Sequence, residues 1–285
     1  MSKPKHGDRQ QAKGRPRRGQ PSSFWRGPWP IVGSLGVVVL LVAIFVVISR
    51  LQSAPTASTA PAADPTVIAE ITHVSPSVAD AVGTGGVTNP LTHTTGATIL
   101  TGPDGKPEVL YIGAEWCPYC AAERWGIVVA LSRFGTFSAL TFTSSSSTDV
   151  FPDTRTLSFN GTSFKSSYVD FVPVELEDRT RRTLETPTPQ ENQIWQTYDP
   201  QGNIPFIDFG NRHIQIGRGV LPDPLQGLSW QQIAAALSNP TSPVTRVIVG
   251  NANYLTAAIC QLPSGQAAPV CSSPTIKQIA TELGG

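Results

Sequence analysis

Two cysteines separated by two residues directly follow an apolar run, and this string constrains the fold more than any other part of the chain. The run Glu108–Gly113 (EVLYIG) has the length and the apolar content of a buried central strand. Residues 118–134 then carry good helix formers and an apolar stripe, and Gly135 is placed to end a helix. The sequence therefore predicts a strand, a short turn and a helix whose N-terminus holds Cys117 and Cys120.

The spacing of Cys117 and Cys120 puts both sulfurs within one helical turn, where a disulfide between them is geometrically natural. Unpaired N–H groups and the helix dipole favour a thiolate at the helix start, and the thiolate is the reactive form. We therefore expect Cys117 to be the nucleophile and Cys120 the resolving thiol. Pro118 suits the first helical turn, and Tyr119 offers an aromatic surface to a substrate chain. An inert structural disulfide and a metal site needing two further ligands are the alternatives.

Further elements are predicted on both sides of this string, and they favour an α/β fold with a mixed sheet flanked by helices. Residues 144–182 lack helix patterning and predict a β-rich insertion of unknown role, with a hairpin around Asn160-Gly161. The remaining predicted strands are residues 97–100, 137–143, 168–174, 204–209 and His213–Ile216. The remaining predicted helices are residues 66–72, 75–82, 187–198, 230–237 and a segment around 254–259.

The N-terminal region predicts a single membrane span. Residues 1–29 hold eight Lys and Arg residues against one Asp, and residues 30–49 contain no charged residue. A helix of that length matches a hydrocarbon core of about 30 Å, and the preceding basic residues place the N-terminus in the cytoplasm. Residues 50–66 predict a spacer rich in Ala, Pro, Ser and Thr, and residues 67–285 an extracytoplasmic domain. The alternatives are a cleaved signal peptide and a basic tail that binds nucleic acid; span length and charge position favour an anchor in a lipid bilayer.

The string Ala114-Glu115-Trp116-Cys117-x-x-Cys120 resembles the signature of the thioredoxin superfamily, and Cys-Pro-Tyr-Cys resembles its glutaredoxin form. The domain after the span also resembles a family of membrane-anchored thioredoxin-like proteins that is classified as a domain of unknown function. The resemblance implies a thioredoxin-like mixed sheet and a cis-proline beside the cysteines, at Pro205. It also implies a substrate-binding surface around the motif, made of Trp116, Pro118, Tyr119, Ile204 and Pro205.

One position departs from the pattern of that superfamily. Thioredoxins carry a buried Asp six residues before the first cysteine, which assists proton transfer from the resolving thiol, and Tyr111 occupies that position here. Glu115 and Glu123 are nearby acids at other positions. The direction of exchange, as oxidant, reductant or isomerase, is therefore left open by the sequence.

Cys260 and Cys271 flank a loop containing Pro and Gly near the C-terminus, and an oxidising compartment would join them in a structural disulfide. The alternative is a relay that passes a disulfide to or from the first cysteine pair. The four histidines are scattered, so no metal site is predicted, and no nucleotide-binding fingerprint indicates a cofactor. A mixed-charge stretch predicts a solvated face formed by Glu175, Glu177, Asp178, Arg179, Arg181 and Arg182.

The motif and the resemblance together imply a membrane-anchored, extracytoplasmic thiol–disulfide oxidoreductase. Its expected partners are the thiols or disulfides of exported proteins or a redox partner in the membrane, with no nucleic acid. The alternative function is a non-catalytic binding or scaffold module whose disulfides are structural.

Overall fold

The computed structural model of the protein describes residues 63–284. The predicted cytoplasmic tail (residues 1–29), membrane span (30–49) and most of the spacer (50–66) lie outside the described residues. Within residues 63–284, no helix is both long enough and apolar enough to cross a bilayer.

A five-stranded mixed sheet forms the centre of the described domain. The strands in chain order are β1 (Leu91–His93), β2 (Glu108–Gly113), β3 (Gly135–Ser138), β4 (Thr141–Ser144), β5 (Arg155–Ser158), β6 (Ser163–Ser166), β7 (Asp170–Glu175), β8 (Phe206–Phe209) and β9 (His213–Ile216). The order across the central sheet is β1-β9-β8-β2-β7, with β7 parallel to β2 and the other pairs antiparallel. All residues of β2 are buried, as its apolar sequence predicts.

The helices begin at clear sequence signals. They are α1 (Pro65–Thr72), α2 (Pro76–Val82), α3 (Pro118–Leu131), α4 (Pro189–Tyr198), α5 (Trp230–Ala236), α6 (Pro243–Cys260) and α7 (Pro274–Glu282). Several start with proline after a residue whose side chain accepts an N–H of the first turn: Asp64, Ser75, Thr188 and Ser273. Because proline has no N–H to leave unpaired there, this pair of residues fixes where a helix begins.

The two faces of the sheet are covered by different helices. Val109 and Tyr111 of β2 belong to the large core that includes residues of α3 and α6. Leu110 and Ile112 point the other way, into a smaller core to which α4 contributes Trp195. A mixed α/β fold whose mixed sheet is flanked by helices is thereby confirmed.

The segment between α3 and β7 differs from the prediction. It forms two small antiparallel sheets, β3 with β6 and β4 with β5, so the turn at Asn160-Gly161 does not close the expected hairpin. The strand predicted over residues 137–143 is two strands, because Ala139 adopts a φ of 61° between them. The segment 144–182 is β-rich, but it contains β7, which pairs with β2 in the central sheet. The added segment therefore ends before Asp170.

Other elements also differ from the prediction. Residues 97–100 form no strand, and a bridge between Thr101 and Pro107 closes the turn that follows them. Helix α3 ends at Leu131, three residues before its predicted end, since the N–H groups of Arg133 and Phe134 bond three residues back and tighten the chain there. Helix α6 is much longer than the segment predicted around 254–259. It is buried along nearly all its length, so it shows no polar face that would mark it as a helix.

Candidate functional site

Cys117 and Cys120 lie at the start of α3, with Cys117 as the N-cap residue. The backbone N–H of Cys120 donates a hydrogen bond of 3.2 Å to Cys117 Sγ. Cys117 is 4% exposed, whereas Cys120 is fully buried, and both carry free thiols. Cys117 is therefore the more accessible residue of the two.

The two thiols differ in acidity. A hydrogen bond from the Cys120 thiol lowers the pKa of Cys117 despite burial, and the Cys120 and Tyr119 N–H groups and the Arg124 charge act in the same direction. Burial raises the pKa of Cys120 well above its ordinary value, and its interaction with Cys117 adds to that shift. Cys117 is therefore the sulfur that forms a thiolate first.

Ile204 and Pro205 lie next to these sulfurs, and the peptide bond between them is cis. Cys117 Sγ is 4.0 Å from the Ile204 carbonyl oxygen, although the two residues are 87 apart in sequence. The Pro205 carbonyl accepts a hydrogen bond of 2.8 Å from the N–H of Gly217. The start of β8 is thus brought to the start of α3, with Ile204 half-buried and Pro205 buried.

Trp116 and Tyr119 stand beside the motif, and both are half-buried. Trp116 Nε1 donates a hydrogen bond of 2.7 Å to Glu177, and the Arg181 guanidinium lies 3.7 Å from its ring centroid. The Tyr119 ring contacts other side chains, with Phe151 at 5.8 Å and Arg218 at 5.9 Å from its centroid.

A pocket of about 380 Å³ adjoins Trp116, and its other lining residues include Ala114, Glu177, Trp195 and Ile204. Pro118, in the first turn of α3, is buried.

A buried ion pair lies behind the motif. Arg124 follows Cys120 by one helical turn and contacts Glu175 through two hydrogen bonds of 2.6 and 2.7 Å. Neither side chain is exposed. The Arg124 guanidinium also lies 5.8 Å from the centroid of the Tyr111 ring. Arg124 is one of two charged residues on a largely apolar helix, the other being Glu123, so the sequence carries a signal for it although its role was not predicted.

The predicted solvated face of mixed charge is therefore wrong for Glu175. Glu175 is fully buried against Arg124, and Glu177 is held by Trp116. Arg181 covers the ring of Trp116. β7 ends at Glu175 inside the central sheet, which buries a carboxylate that sequence spacing alone places in a charged surface stretch.

Tyr111 lies on β2 with its ring edge-on to Phe159. Its hydroxyl points toward Gly113, because a side-chain carbon added at Gly113 would overlap it. The described residues offer this buried hydroxyl no hydrogen-bond partner. Burial raises the pKa of Tyr111 well above its ordinary value, and the nearby cysteines contribute to that shift.

The acids nearest the motif in sequence are engaged elsewhere. Glu115 accepts a hydrogen bond of 3.0 Å from the Thr143 hydroxyl. Glu123 is fully buried and accepts hydrogen bonds from the backbone of Gly219 and Val220 and from the Asn251 amide. Burial raises the pKa of Glu123 above its ordinary value in spite of these bonds.

The second cysteine pair is a disulfide between Cys260, the last residue of α6, and Cys271. Cys260 lines a pocket of about 420 Å³ together with His93 and His213. Among residues 63–284, no three His, Cys, Asp or Glu side chains are grouped so that they would hold a metal ion.

These features define a class: a mixed α/β protein whose central strand leads into a helix that begins with two closely spaced cysteines. The chain belongs to the family described as "Domain of unknown function (DUF929)", whose family model matches residues 99–261. The match covers more than half of the chain, from before β2 to just after α6, and it confirms the expected membership of a family of unknown function. Comparison with curated proteins and with solved structures found no match.

Proposed function

We propose that this protein is a thioredoxin-like thiol–disulfide oxidoreductase that exchanges disulfides through Cys117 and Cys120. The observation that carries the proposal is the environment of Cys117. Its sulfur caps a helix, accepts the N–H of Cys120 and faces the Ile204 carbonyl beside Pro205. The helix start and the Cys120 N–H stabilise a thiolate, and the backbone at Ile204 and Pro205 is where a substrate segment would lie.

The topology supports the thioredoxin-like assignment. β2 leads into α3, and the chain returns to the sheet as β7, parallel to β2. It then enters β8 through Pro205 and turns back as β9, so that β8 and β9 extend the sheet by antiparallel pairing. The two small sheets between α3 and β7 are added to this arrangement without interrupting it.

The proposed exchange uses the two sulfurs in different roles. The Cys117 thiolate attacks a substrate disulfide, one substrate sulfur leaves as a thiolate, and a mixed disulfide forms. The Cys120 thiolate then attacks Cys117 Sγ, which releases the second substrate sulfur and leaves the two cysteines oxidised. Run backwards, the same steps donate a disulfide.

The proposed location is the outer face of a membrane. Support comes from the uncharged residues 30–49 and from the basic residues 1–29 that precede them. The substrates we propose are thiols or disulfides of exported proteins or of a redox partner within the membrane, and the protein needs no cofactor for this chemistry.

Substitution of each cysteine by serine tests the proposed function. In the full-length chain, Cys117→Ser is expected to abolish both reduction of insulin and oxidation of a reduced protein. Cys120→Ser is the matched variant, and it is expected to trap the mixed disulfide, which non-reducing electrophoresis detects.

The 4% exposure of Cys117 is the observation that favours the alternative, a binding or scaffold module with structural disulfides. If the unaltered chain catalyses neither reaction, while Cys117→Ser retains its cellular function, that alternative replaces the proposal.

A further inference from the structure

Three fully buried side chains lie on the elements that adjoin the motif: Arg124 on α3, Glu175 on β7 and Tyr111 on β2. The Arg124 charge acts on both Cys117 and Cys120 and favours their thiolate forms. Helix geometry explains this, because residues four apart lie on one face and side chains lean toward the helix N-terminus, so Arg124 extends toward Cys120. Glu175 holds the guanidinium in place through its two hydrogen bonds. Tyr111 points toward the strand end that leads into the motif.

We propose that Tyr111 and the Arg124–Glu175 ion pair set the direction of exchange, so that the Cys117–Cys120 disulfide oxidises dithiols in substrate proteins. This inference rests on the proposed function and adds its direction. Arg124 and Tyr111 act as positioning residues, since they work through the sulfurs and not on the substrate.

Oxidation of a substrate needs no buried base. A substrate thiolate attacks Cys117 Sγ, the bond between Cys117 and Cys120 breaks, and its electron pair passes to Cys120 Sγ, which takes a proton from water. The second substrate thiolate attacks the first substrate sulfur, so a substrate disulfide forms and Cys117 leaves as a thiolate. The substrate loses two electrons and the cysteine pair gains them. A further disulfide compound must reoxidise the pair, and oxidised glutathione fills that role in the test below.

The second leaving group in this direction, Cys117, is well supported. When Cys117 leaves as a thiolate, the N–H of Cys120 and the charge of Arg124 stabilise it. A stabilised thiolate lowers the free energy of the reduced pair, and a pair with a stable reduced form is a stronger oxidant.

Reduction of a substrate makes the opposite demand, because the Cys120 thiol must lose a proton before it attacks the mixed disulfide. Cys120 is fully buried, and burial holds its pKa high. The carboxylate of Glu175 is occupied by Arg124 and by the Phe159 N–H at 3.2 Å. Tyr111 stays protonated because burial raises its pKa, so its hydroxyl can donate a proton but not accept one. Attack of Cys120 on the mixed disulfide, which a reductant requires, is therefore slow.

Comparison of the two directions in the unaltered chain tests the proposal directly. The full-length chain, solubilised in detergent, is given reduced ribonuclease with oxidised glutathione, or insulin with reduced glutathione. The rate of ribonuclease oxidation is expected to exceed the rate of insulin reduction by about tenfold or more, which is the ratio that one unit of thiol pKa supplies. Faster reduction of insulin would overturn the direction. If neither reaction occurs, or if both survive in Cys117→Ser, the proposed function itself fails.

Two sets of variants test the named residues. Arg124→Met/Glu175→Gln removes both buried charges together, and Arg133→Met is its control at the far end of α3, where Arg133 donates to Asn253 and Thr256. The double variant is expected to slow Cys117 alkylation by iodoacetamide at low pH and to shift the glutathione equilibrium about tenfold toward the disulfide. The control is expected to change neither. An unchanged equilibrium in a folded double variant would overturn the role of the ion pair.

Tyr111→Asp and Tyr111→Asn form the second set, since they differ only in the ability to accept a proton. Tyr111→Asp is expected to reduce insulin faster than Tyr111→Asn does. Equal rates would show that the lack of a proton acceptor at position 111 does not limit the reduction of insulin. The comparison of directions in the unaltered chain decides the proposal even where a variant fails to fold.

Discussion

Arg124 and Glu175 lie 51 residues apart in sequence and meet where neither side chain is exposed. Burial of two charges costs several kcal/mol for each, and their attraction offsets this only with good geometry. The bidentate contact supplies that geometry, and the Phe159 N–H satisfies a further lone pair of Glu175. Among the described residues, Arg124 Nη1 has no hydrogen-bond partner, so the pair is not fully compensated. A buried ion pair with an unpaired nitrogen is a weak source of net stability, and we propose that its role is its effect on the neighbouring sulfurs.

At this residue scale, removal of one partner is expected to cost far more than removal of both. Arg124→Met leaves the Glu175 carboxylate buried and unpaired, and we expect it to lower the free energy of unfolding by about 3–5 kcal/mol. Arg124→Met/Glu175→Gln is expected to recover most of that loss, because no uncompensated charge remains. Urea unfolding of the full-length chain, followed by Trp fluorescence, measures both values. Additive effects of the two single substitutions would contradict the expected coupling.

At the scale of elements, the sequence predicts best where a local signal suffices. The strand β2 follows from its apolar run, and α4 from Thr188 and Pro189 with a Glu191 that completes a capping box. The sequence predicts a strand over residues 168–174, close to the observed bounds of β7, but it does not predict the place of that strand in the central sheet. That place depends on pairing with β2 across more than fifty residues, for which the local sequence carries no signal.

The same limit applies to the candidate site. The cysteines and Pro205 belong to recognisable motifs and can therefore be predicted from the sequence. Glu175 sits among charged neighbours and differs from them only in being the end of a central strand. Its contact with Arg124 could not be predicted without knowing that β7 lies beside β2.

The Cys260–Cys271 disulfide joins the end of α6 to the turn that precedes α7. Its removal tests whether it only stabilises the fold or passes a disulfide to or from Cys117 and Cys120. Cys260→Ala/Cys271→Ala removes the crosslink, and we expect a loss of about 3 kcal/mol in the free energy of unfolding for a loop of this size. Oxidation of reduced ribonuclease through Cys117 is expected to continue at the same rate under conditions where the variant is folded. A folded variant that has lost turnover but not the first exchange would indicate a relay.

At the scale of the whole molecule, the domain carries buried carboxylates that bear on its response to pH. Asp208 of β8 is fully buried; one oxygen accepts the Asn211 N–H at 2.7 Å, and the described residues give the other no partner. Burial raises the pKa of Asp208 to about 7. Burial also raises the pKa of Glu108 to about 7, and the charges of Glu191 and Asp208 add to the shift.

Both carboxyls therefore hold protons in the folded chain at pH values where the unfolded chain has lost them, since their ordinary pKa values are 3.8 and 4.5. Each contributes stability that is present at low pH and is lost as the pH rises through about 7. His213 works in the opposite sense, because burial lowers its pKa and an uncharged ring is favoured on folding. Comparison of one variant with the unaltered chain separates the carboxyl contribution from that of His213.

Asp208→Asn keeps the side-chain oxygen that accepts the Asn211 N–H and removes the titration. Relative to the unaltered chain, the variant is expected to gain stability steadily between about pH 4 and pH 7 and to keep a constant advantage above that. Since one pKa unit is worth about 1.4 kcal/mol, the gain should reach a few kcal/mol at most. Urea unfolding at a series of pH values measures the difference, and Glu108→Gln is expected to give a gain in the same window. Parallel curves for the variant and the unaltered chain would show that Asp208 does not stay protonated in the folded domain.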